Sequence, residues 1–284
     1  MSASNKPIGL IGLGLMGTAL TERLLEHGFR VTVWNRTRAK ADPLIARGAE
    51  WSDNPLAACD RVIISLYSSD VVEAVLEQMS DGLRAGQILL DTTTGEPSQS
   101  AALGARLAAR GVHYLDAPIS GSSEQTRRGE AMVMVGGNRH AFEACADLWP
   151  VLGQKVFYLG PCGSAAKMKL VSNLVLGLNR AALAEGLVYA EAIGVEPAAA
   201  LEALRNSMAY SRVMDVKGRK MIEGDFTAQA RLSQHLKDVR LILASGVPLP
   251  LSETHRRLLE QAEAMGLGEW DNSAIIKVIQ KPSP

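Results

Sequence analysis

Little in this 284-residue sequence is in excess: it has three cysteines, 5% aromatic residues and no surplus of charge, with 30 basic residues against 30 acidic ones. Cys59, Cys145 and Cys162 are too few and too scattered for a disulfide framework or a zinc site. Zero net charge removes the electrostatic footprint of a nucleic-acid binder or a protein drawn to anionic membranes. His27, His113, His140, His235 and His255 show no ligand-like spacing, so no metal site is expected. The most apolar stretch, 163–194, is interrupted by Lys167, Lys169, Asn173, Arg180 and Glu185, which argues against a membrane span. Met1 to Pro7 lack the apolar core of a signal peptide, and together with the sparse cysteines this leads us to expect a soluble protein of the reducing cytoplasm.

What the chain does have is glycine in one telling place. Ile8-Gly9-Leu10-Ile11 is an apolar strand that runs directly into Gly12-Leu13-Gly14-Leu15-Met16-Gly17, a GxGxxG turn. Such a turn lets backbone N–H groups approach a pyrophosphate and sets a helix N-terminus against it. The helical pattern Ala19, Leu20, Leu24, Leu25 follows without proline, Gly28 stops it, and Phe29 to Trp34 reads as a second strand. This is a complete βαβ opening, in which Gly12, Leu13, Gly14, Leu15, Met16 and Gly17 would hold a dinucleotide.

The end of the second strand discriminates between nicotinamide cofactors. An NAD site places Asp or Glu about 20 residues past the glycines, against the ribose 2′-hydroxyl. Here that position holds Asn35-Arg36-Thr37, with Arg38 and Lys40 close by. A guanidinium and a hydroxyl suit a 2′-phosphate, so the expected cofactor is NADP(H).

Strand and helix patterns continue to alternate: Arg61 to Leu66 a strand, Val71 to Met79 a helix, Gln87 to Asp91 a strand, Pro97 to Ala109 a helix, Val112 to Leu115 a strand. Alternation of this kind predicts an α/β fold with a doubly wound, Rossmann-type parallel sheet. Ligands of such sheets lie beyond the carboxyl ends of the strands, which places Leu66-Tyr67, Thr92 to Thr94 and Asp116 to Gly121 around the cofactor, with Thr94 nearest the nicotinamide. Beyond about residue 163 the pattern is helical throughout. We expect residues 1–163 to bind NADP and residues 164–284 to form an all-helical substrate and dimerisation domain, opening with a long buried spine helix over 164–193. The rich apolar content of that half predicts a homodimer or a dimer of dimers.

At 100° per residue, Lys169, Ser172, Asn173 and Arg180 share one narrow face of the spine helix. Burial disfavours the charged form of a lysine and brings it toward the range where a general acid works at neutral pH. Lys169 is therefore the candidate proton donor.

Four segments now resemble the β-hydroxyacid dehydrogenases across nearly the whole chain: the glycine turn, Asp116-Ala117-Pro118-Ile119-Ser120-Gly121-Ser122, the run Gly163 to Asn173, and Lys237-Asp238. The wording Trp34-Asn35-Arg36-Thr37 and Ala166-Lys167-Met168-Lys169-Leu170 looks most like the NADPH-dependent glyoxylate and succinic semialdehyde reductase branch of that family. The resemblance implies that Lys169, four residues before Asn173, is the catalytic lysine. It implies that Ser120, Gly121 and Ser122 bind a substrate carboxylate, that Asn173 orients Lys169 or the substrate oxygen, and that Leu66, Tyr67, Thr94 and Lys237 touch the cofactor. The implied substrate is a small carboxylate-bearing aldehyde, or the hydroxy acid formed from it. Ser122 stands where the family often has glycine, Leu66-Tyr67-Ser68 lacks a frequent proline, and Ala230 replaces a common aromatic residue, so the substrate pocket differs in shape. An imine reductase of the same architecture usually carries Asp or Tyr at the lysine's place, and a non-catalytic NADP-binding protein would have lost Lys169 and Ser120; neither fits this chain as well.

Overall fold

A computed structural model describes residues 6–280. The expectation drawn from Met1 to Pro7 falls mostly outside these residues. Two compact units make up the chain, the first ending at Lys169 and the second beginning at Leu170.

The first unit is built on a nine-stranded sheet: β1 (Ile8–Ile11), β2 (Val31–Trp34), β3 (Glu50–Trp51), β4 (Arg61–Ile64), β5 (Ile88–Asp91), β6 (His113–Asp116), β7 (Ile119–Ser120), β8 (Met132–Gly137) and β9 (Lys155–Tyr158). The order is β3-β2-β1-β4-β5-β6-β8-β7, with β9 also on β8. From β3 to β6 every pairing is parallel, in registers such as Ile8↔Val31 and Ile8↔Arg61. The strand order runs outward in both directions from β1, so the turn after β1 sits at the topological switch point. These strands are continuous apolar runs because both faces are covered: Ile8, Leu10, Val33, Val62, Ile63 and Leu89 are buried. Beyond β6 the sheet changes hand of pairing, with β8 antiparallel to β6 and to β7 and parallel to β9. Nothing in the strand-helix alternation foretold that extension.

The first unit's helices include α1 (Leu15–Glu26), which contains the Ala19 to Leu25 pattern and ends two residues before Gly28, and α2 (Ser69–Gln78) and α3 (Pro97–Ala108), which match their sequence signals within two residues. The ends have local causes. Ser68 caps α2 through a bond from the Val71 N–H, and Glu96 caps α3 through the N–H groups of Ser98 and Gln99, with Pro97 in the first turn. Because the strands are parallel, the segments that follow β1, β2, β4, β5 and β6 emerge at one edge. The ladder continues into them: Gly12 N–H bonds to Trp34 O, Ser65 to Ile11, Thr92 to Ile64 and Ala117 to Asp91.

The predicted spine is α4 (Ser164–Ala192), but it is not buried throughout as expected: Met168, Val171, Val175 and Tyr189 on it are exposed. The second unit continues with α5 (Pro197–Arg205), α6 (Leu232–Leu243) and α7 (Pro250–Ala264), and with a π-helical turn at Met214–Gly218. Its core gathers Leu183, Leu187, Leu201, Met214, Leu232, Leu236, Leu259 and Ile275. At about 1.5–3 kcal/mol per fully buried large aliphatic side chain, this cluster is the main source of the unit's stability. Among the described residues no helix is long and apolar enough to cross a membrane.

Candidate active site

The three glycines of the turn are needed for three different reasons. Gly12 has φ +101°, and a Cβ there would lie 2.3 Å from the Ser65 carbonyl oxygen. A Cβ on Gly17 would strike the Gly12 carbonyl oxygen, so α1 can close on the turn only with glycine at that place. Gly14 faces open space, with nothing within 4 Å of where a Cβ would be, and it begins α1 without a side-chain cap. The first helical N–H groups, Leu15 to Gly17, have no partner within their own helix and border that space. An anionic pyrophosphate fits there, held by N–H donors and favoured by the helix dipole.

Asn35, at the carboxyl end of β2, joins this turn to the next loop. Its Oδ1 accepts from the Leu13 N–H at 2.9 Å, and its Nδ2 donates to the Thr37 carbonyl at 2.9 Å. Arg36 and Thr37 are exposed. Arg38 is committed elsewhere: it pairs with Asp42 at 3.0 Å, and its guanidinium lies over the Trp51 ring at 4.3 Å. Of the two guanidiniums near the end of β2, Arg36 is the one that shows no such anchor among the described residues.

The loops after β4 and β5 are organised by a residue that sequence reasoning passed over. Asp91 is buried, accepts from the Thr93 N–H at 2.9 Å and takes the Tyr114 hydroxyl at 2.5 Å. Burial pushes its carboxyl up to about 6 against those stabilising hydrogen bonds. Thr93 then accepts the Leu66 N–H at 3.0 Å, so the Leu66–Tyr67 and Thr92–Thr94 segments are tied together. Tyr67 remains half-exposed, and Thr94 lies at the start of the loop leading to α3.

Asp116 opens the motif that reads as substrate-binding, yet its own carboxylate caps the spine helix. Its two oxygens accept the N–H groups of Gly163 at 3.0 Å and Ala166 at 2.9 Å, while burial raises its pKa. Ser122 also acts locally, as the cap of a short helix over Ser123–Arg127 in a reciprocal capping box with Gln125. Thr126 of that helix donates to the Met16 sulfur at 3.3 Å, linking it to the start of α1. Gly121, at φ +154°, turns the chain between Ser120 and that cap, and a Cβ there would press on Ala131.

Lys169 is 7% exposed, and its Nζ donates to the Ile119 carbonyl at 2.7 Å, one residue before Ser120. The capped start of α4 thus delivers a buried ammonium to the strand end that carries Ser120 and Gly121. One turn further along α4, Asn173 donates through Nδ2 to Asp238 Oδ2 at 2.8 Å. The other oxygen of Asp238 faces the Lys237 ammonium at 3.2 Å. The sequence places Lys237 and Asp238 side by side, but the contact that pairs Asp238 with Asn173 spans 65 residues and leaves no local signal. His235 and His255, read as isolated, meet as a tilted ring pair with centroids 5.2 Å apart. Among the described residues, no group of three or more His, Cys, Asp and Glu is arranged to hold a metal ion.

A glycine-lined switch point, a βαβ sheet and a buried lysine beside a carboxyl-end loop define a dinucleotide-binding oxidoreductase class. Comparison with known proteins narrows this. Residues 7–160 match the family model of the NAD binding domain of 6-phosphogluconate dehydrogenase, and residues 163–279 match that of the NAD-binding domain of NADP-dependent 3-hydroxyisobutyrate dehydrogenase. The 2-(hydroxymethyl)glutarate dehydrogenase of Eubacterium barkeri is 34% identical, the alignment covering 95% of this chain and 94% of the relative. Glyoxylate/succinic semialdehyde reductase 1 of Arabidopsis thaliana is 32% identical over 96% of this chain and 98% of its own. The solved complex of Psf3 with NADP+ and 2-OPP superposes with a TM-score of 0.89 at 27% identity, covering 96% of this chain and all of that one. The chain belongs to the 3-hydroxyisobutyrate dehydrogenase-like β-hydroxyacid dehydrogenases, nicotinamide-dependent oxidoreductases acting on hydroxyl or aldehyde groups.

Proposed function

We propose that this enzyme uses NADPH to reduce a small carboxylate-bearing aldehyde, of the glyoxylate or succinic semialdehyde type, to the hydroxy acid, and that it can run the reverse oxidation. The observation that carries the reading is the buried Lys169 ammonium held on the Ile119 carbonyl next to Ser120. When bound, the dinucleotide supplies the hydride. The chain's own residues do the rest. The Ser120 hydroxyl and the Gly121 N–H bind the substrate carboxylate, with the Ser122 cap holding that loop in shape. Lys169 hands a proton from Nζ to the developing alkoxide, and the Ile119 carbonyl keeps the ammonium aimed while it waits. Asn173, fixed by Asp238, orients the substrate oxygen.

Around the cofactor, Gly12 to Gly17 take the pyrophosphate, Asn35 latches the turn, Arg36 and Thr37 take the 2′-phosphate, and Leu66, Tyr67, Thr94 and Lys237 border the remainder. Residues 164–284 carry substrate and subunit contacts. The absence of a carboxylate between Trp34 and Ala41 supports the preference for NADPH. Exposed apolar side chains on α4 support a homodimer or a dimer of dimers, and three free cysteines suit a reducing cytoplasm.

The direct experiment is an NADPH-consumption screen over glyoxylate, succinic semialdehyde, tartronate semialdehyde, methylmalonate semialdehyde and a cyclic imine. Turnover of one or more aldehydes is expected; turnover of the imine alone would overturn the reading. On the best substrate, Lys169→Ala lowers kcat by at least about 100-fold, the scale of a lost general acid. A variant that keeps near wild-type kcat would remove Lys169 from the mechanism.

A further inference from the structure

Asp91 ends β5 at the edge where the strand loops gather, and it holds three of those loops at once. One carboxylate oxygen accepts the Thr93 N–H at 2.9 Å, the Thr93 hydroxyl also bonds to the carboxylate, and the other oxygen takes the Tyr114 hydroxyl at 2.5 Å. Thr93 Oγ1 in turn accepts the Leu66 N–H at 3.0 Å. This makes a directed chain from the Leu66 N–H through the Thr93 hydroxyl to Asp91, in which a charge at the end strengthens every link. Through its backbone Asp91 reaches a third loop, its carbonyl accepting the Ala117 N–H at 2.7 Å.

The charge of Asp91 is finely balanced. Burial, and to a smaller extent the Asp116 carboxylate beside it in register on β6, push its carboxyl up to about 6, while the bonds from Thr93 and Tyr114 pull it down. The other titratable groups of this cluster have separate roles. Burial raises Tyr114 well above its ordinary range and Cys162, in the segment before α4, up to about 12, so both are neutral at pH 7. Asp116 is also raised by burial, but its oxygens serve the Gly163 and Ala166 N–H groups at the start of α4. On the other side, β4 sets Ile64 against Asp91.

Ionisation therefore changes what Asp91 can hold. As a carboxylate it accepts from Thr93 and from Tyr114 together, whereas a protonated carboxyl gives up acceptor capacity on one oxygen. The two loops stay folded in either state, because a second tie lies farther out: Ser69 Oγ accepts the Glu96 N–H at 3.0 Å, and Ser68 and Glu96 cap α2 and α3. Only their inner halves, at Leu66 and Thr93, respond to the proton.

We propose that Asp91 is a positioning residue for the nicotinamide half of the cofactor: as a carboxylate it draws Thr93 and the Leu66 backbone into the arrangement that borders that half, and as a carboxylic acid it lets them relax. Cofactor affinity then rises as Asp91 loses its proton. This rests on the reading of Leu66, Tyr67 and Thr94 as neighbours of the cofactor, with Thr94 nearest the nicotinamide.

Titration calorimetry of the full chain with NADP+ tests this without requiring turnover. The 2′-phosphate itself titrates near pH 6, so the quantity to read is the ratio of Kd values, Asp91→Asn over wild type, at each pH. That ratio should be about twofold at pH 5 and rise to about tenfold at pH 7.5, the worth of a charge-assisted hydrogen bond. Thr93→Val, which cuts the chain between Asp91 and Leu66, should lose affinity over the same pH range although Asp91 remains. The probe 2′-phospho-ADP-ribose, which lacks the nicotinamide, should show no such rise. A ratio independent of pH, or a Thr93→Val protein that binds NADP+ as wild type does at both pH values, overturns the proposal while the binding itself upholds the cofactor site. An equal rise with 2′-phospho-ADP-ribose moves Leu66 and Thr93 away from the nicotinamide and overturns that placement and the proposal together. Should Asp91→Asn fail to fold, the comparison of Thr93→Val with wild type decides.

Discussion

At the scale of single residues, charge is placed where burial changes its meaning. Arg36 is exposed at the end of β2, while its neighbour Arg38 is held by Asp42 and Trp51. Replacing Arg36 with Asp should therefore lower the NADPH-to-NADH ratio of kcat/KM by about tenfold or more, the worth of a charge-assisted hydrogen bond and its reversal. An unchanged ratio would discard Arg36 as the 2′-phosphate ligand. Asp91 gives a pH signature. Its folded pKa, about 6, lies above the ordinary 3.8, so the folded protein holds a proton that the unfolded chain has already lost. Its contribution favours the native state below about pH 4 and is lost as pH rises through 6. Denaturant melts of wild type and Asp91→Asn should accordingly differ most in wild type's favour at the acid end of that window, with the difference shrinking toward neutrality. A difference constant in pH would mean that Asp91 does not titrate as described. Lys169, Asn173 and Arg180 were readable from the sequence because helix geometry alone puts them on one face. The Asn173–Asp238, Tyr114–Asp91 and His235–His255 contacts were not, because they join residues 20 to 65 apart in sequence and no short-range pattern encodes such a contact.

At the scale of elements, the parallel strands were visible because a strand covered on both faces must be apolar throughout, as Arg61 to Ile64 and Ile88 to Asp91 nearly are. The strands β7 and β9 lack that signal: β7 is two residues long, and β9 alternates exposed and half-buried positions. The π-helical turn at Met214–Gly218 has no composition that distinguishes it from an α-helical turn. The most consequential element is α4, whose start is fixed by Asp116 through two backbone N–H groups. Asp116→Ala should cost on the order of 1–2 kcal/mol in urea melts, as a lost helix cap does, and lower kcat as well, because Lys169 lies three residues beyond Ala166. Asp116→Asn, which keeps one acceptor, should recover part of both. Loss of stability with kcat untouched would separate the cap from the positioning of Lys169.

At the scale of the whole molecule, apolar side chains remain in solvent along α4: Met168, Val171, Val175 and Tyr189 are between 41% and 65% exposed. A long helix displaying such a stripe is suited to self-association. Light scattering of the wild-type protein should give a mass that is a multiple of the chain's, and the double substitution Val171→Glu, Val175→Glu should reduce it to that of one chain. A strictly monomeric wild type would overturn the association.

The Asn35 amide carries a consequence for cofactor exchange. If the proposed NADPH preference holds, a protein engineer seeking to convert the enzyme to the unphosphorylated nicotinamide would first try a carboxylate at the end of β2. At position 35 that change keeps an acceptor for the Leu13 N–H but deletes the donor to the Thr37 carbonyl and sets oxygen against oxygen. The conversion would unfasten the turn it was meant to retune. On the proposed NADPH reading, positions 36 and 37 are the ones to change, with the asparagine left in place.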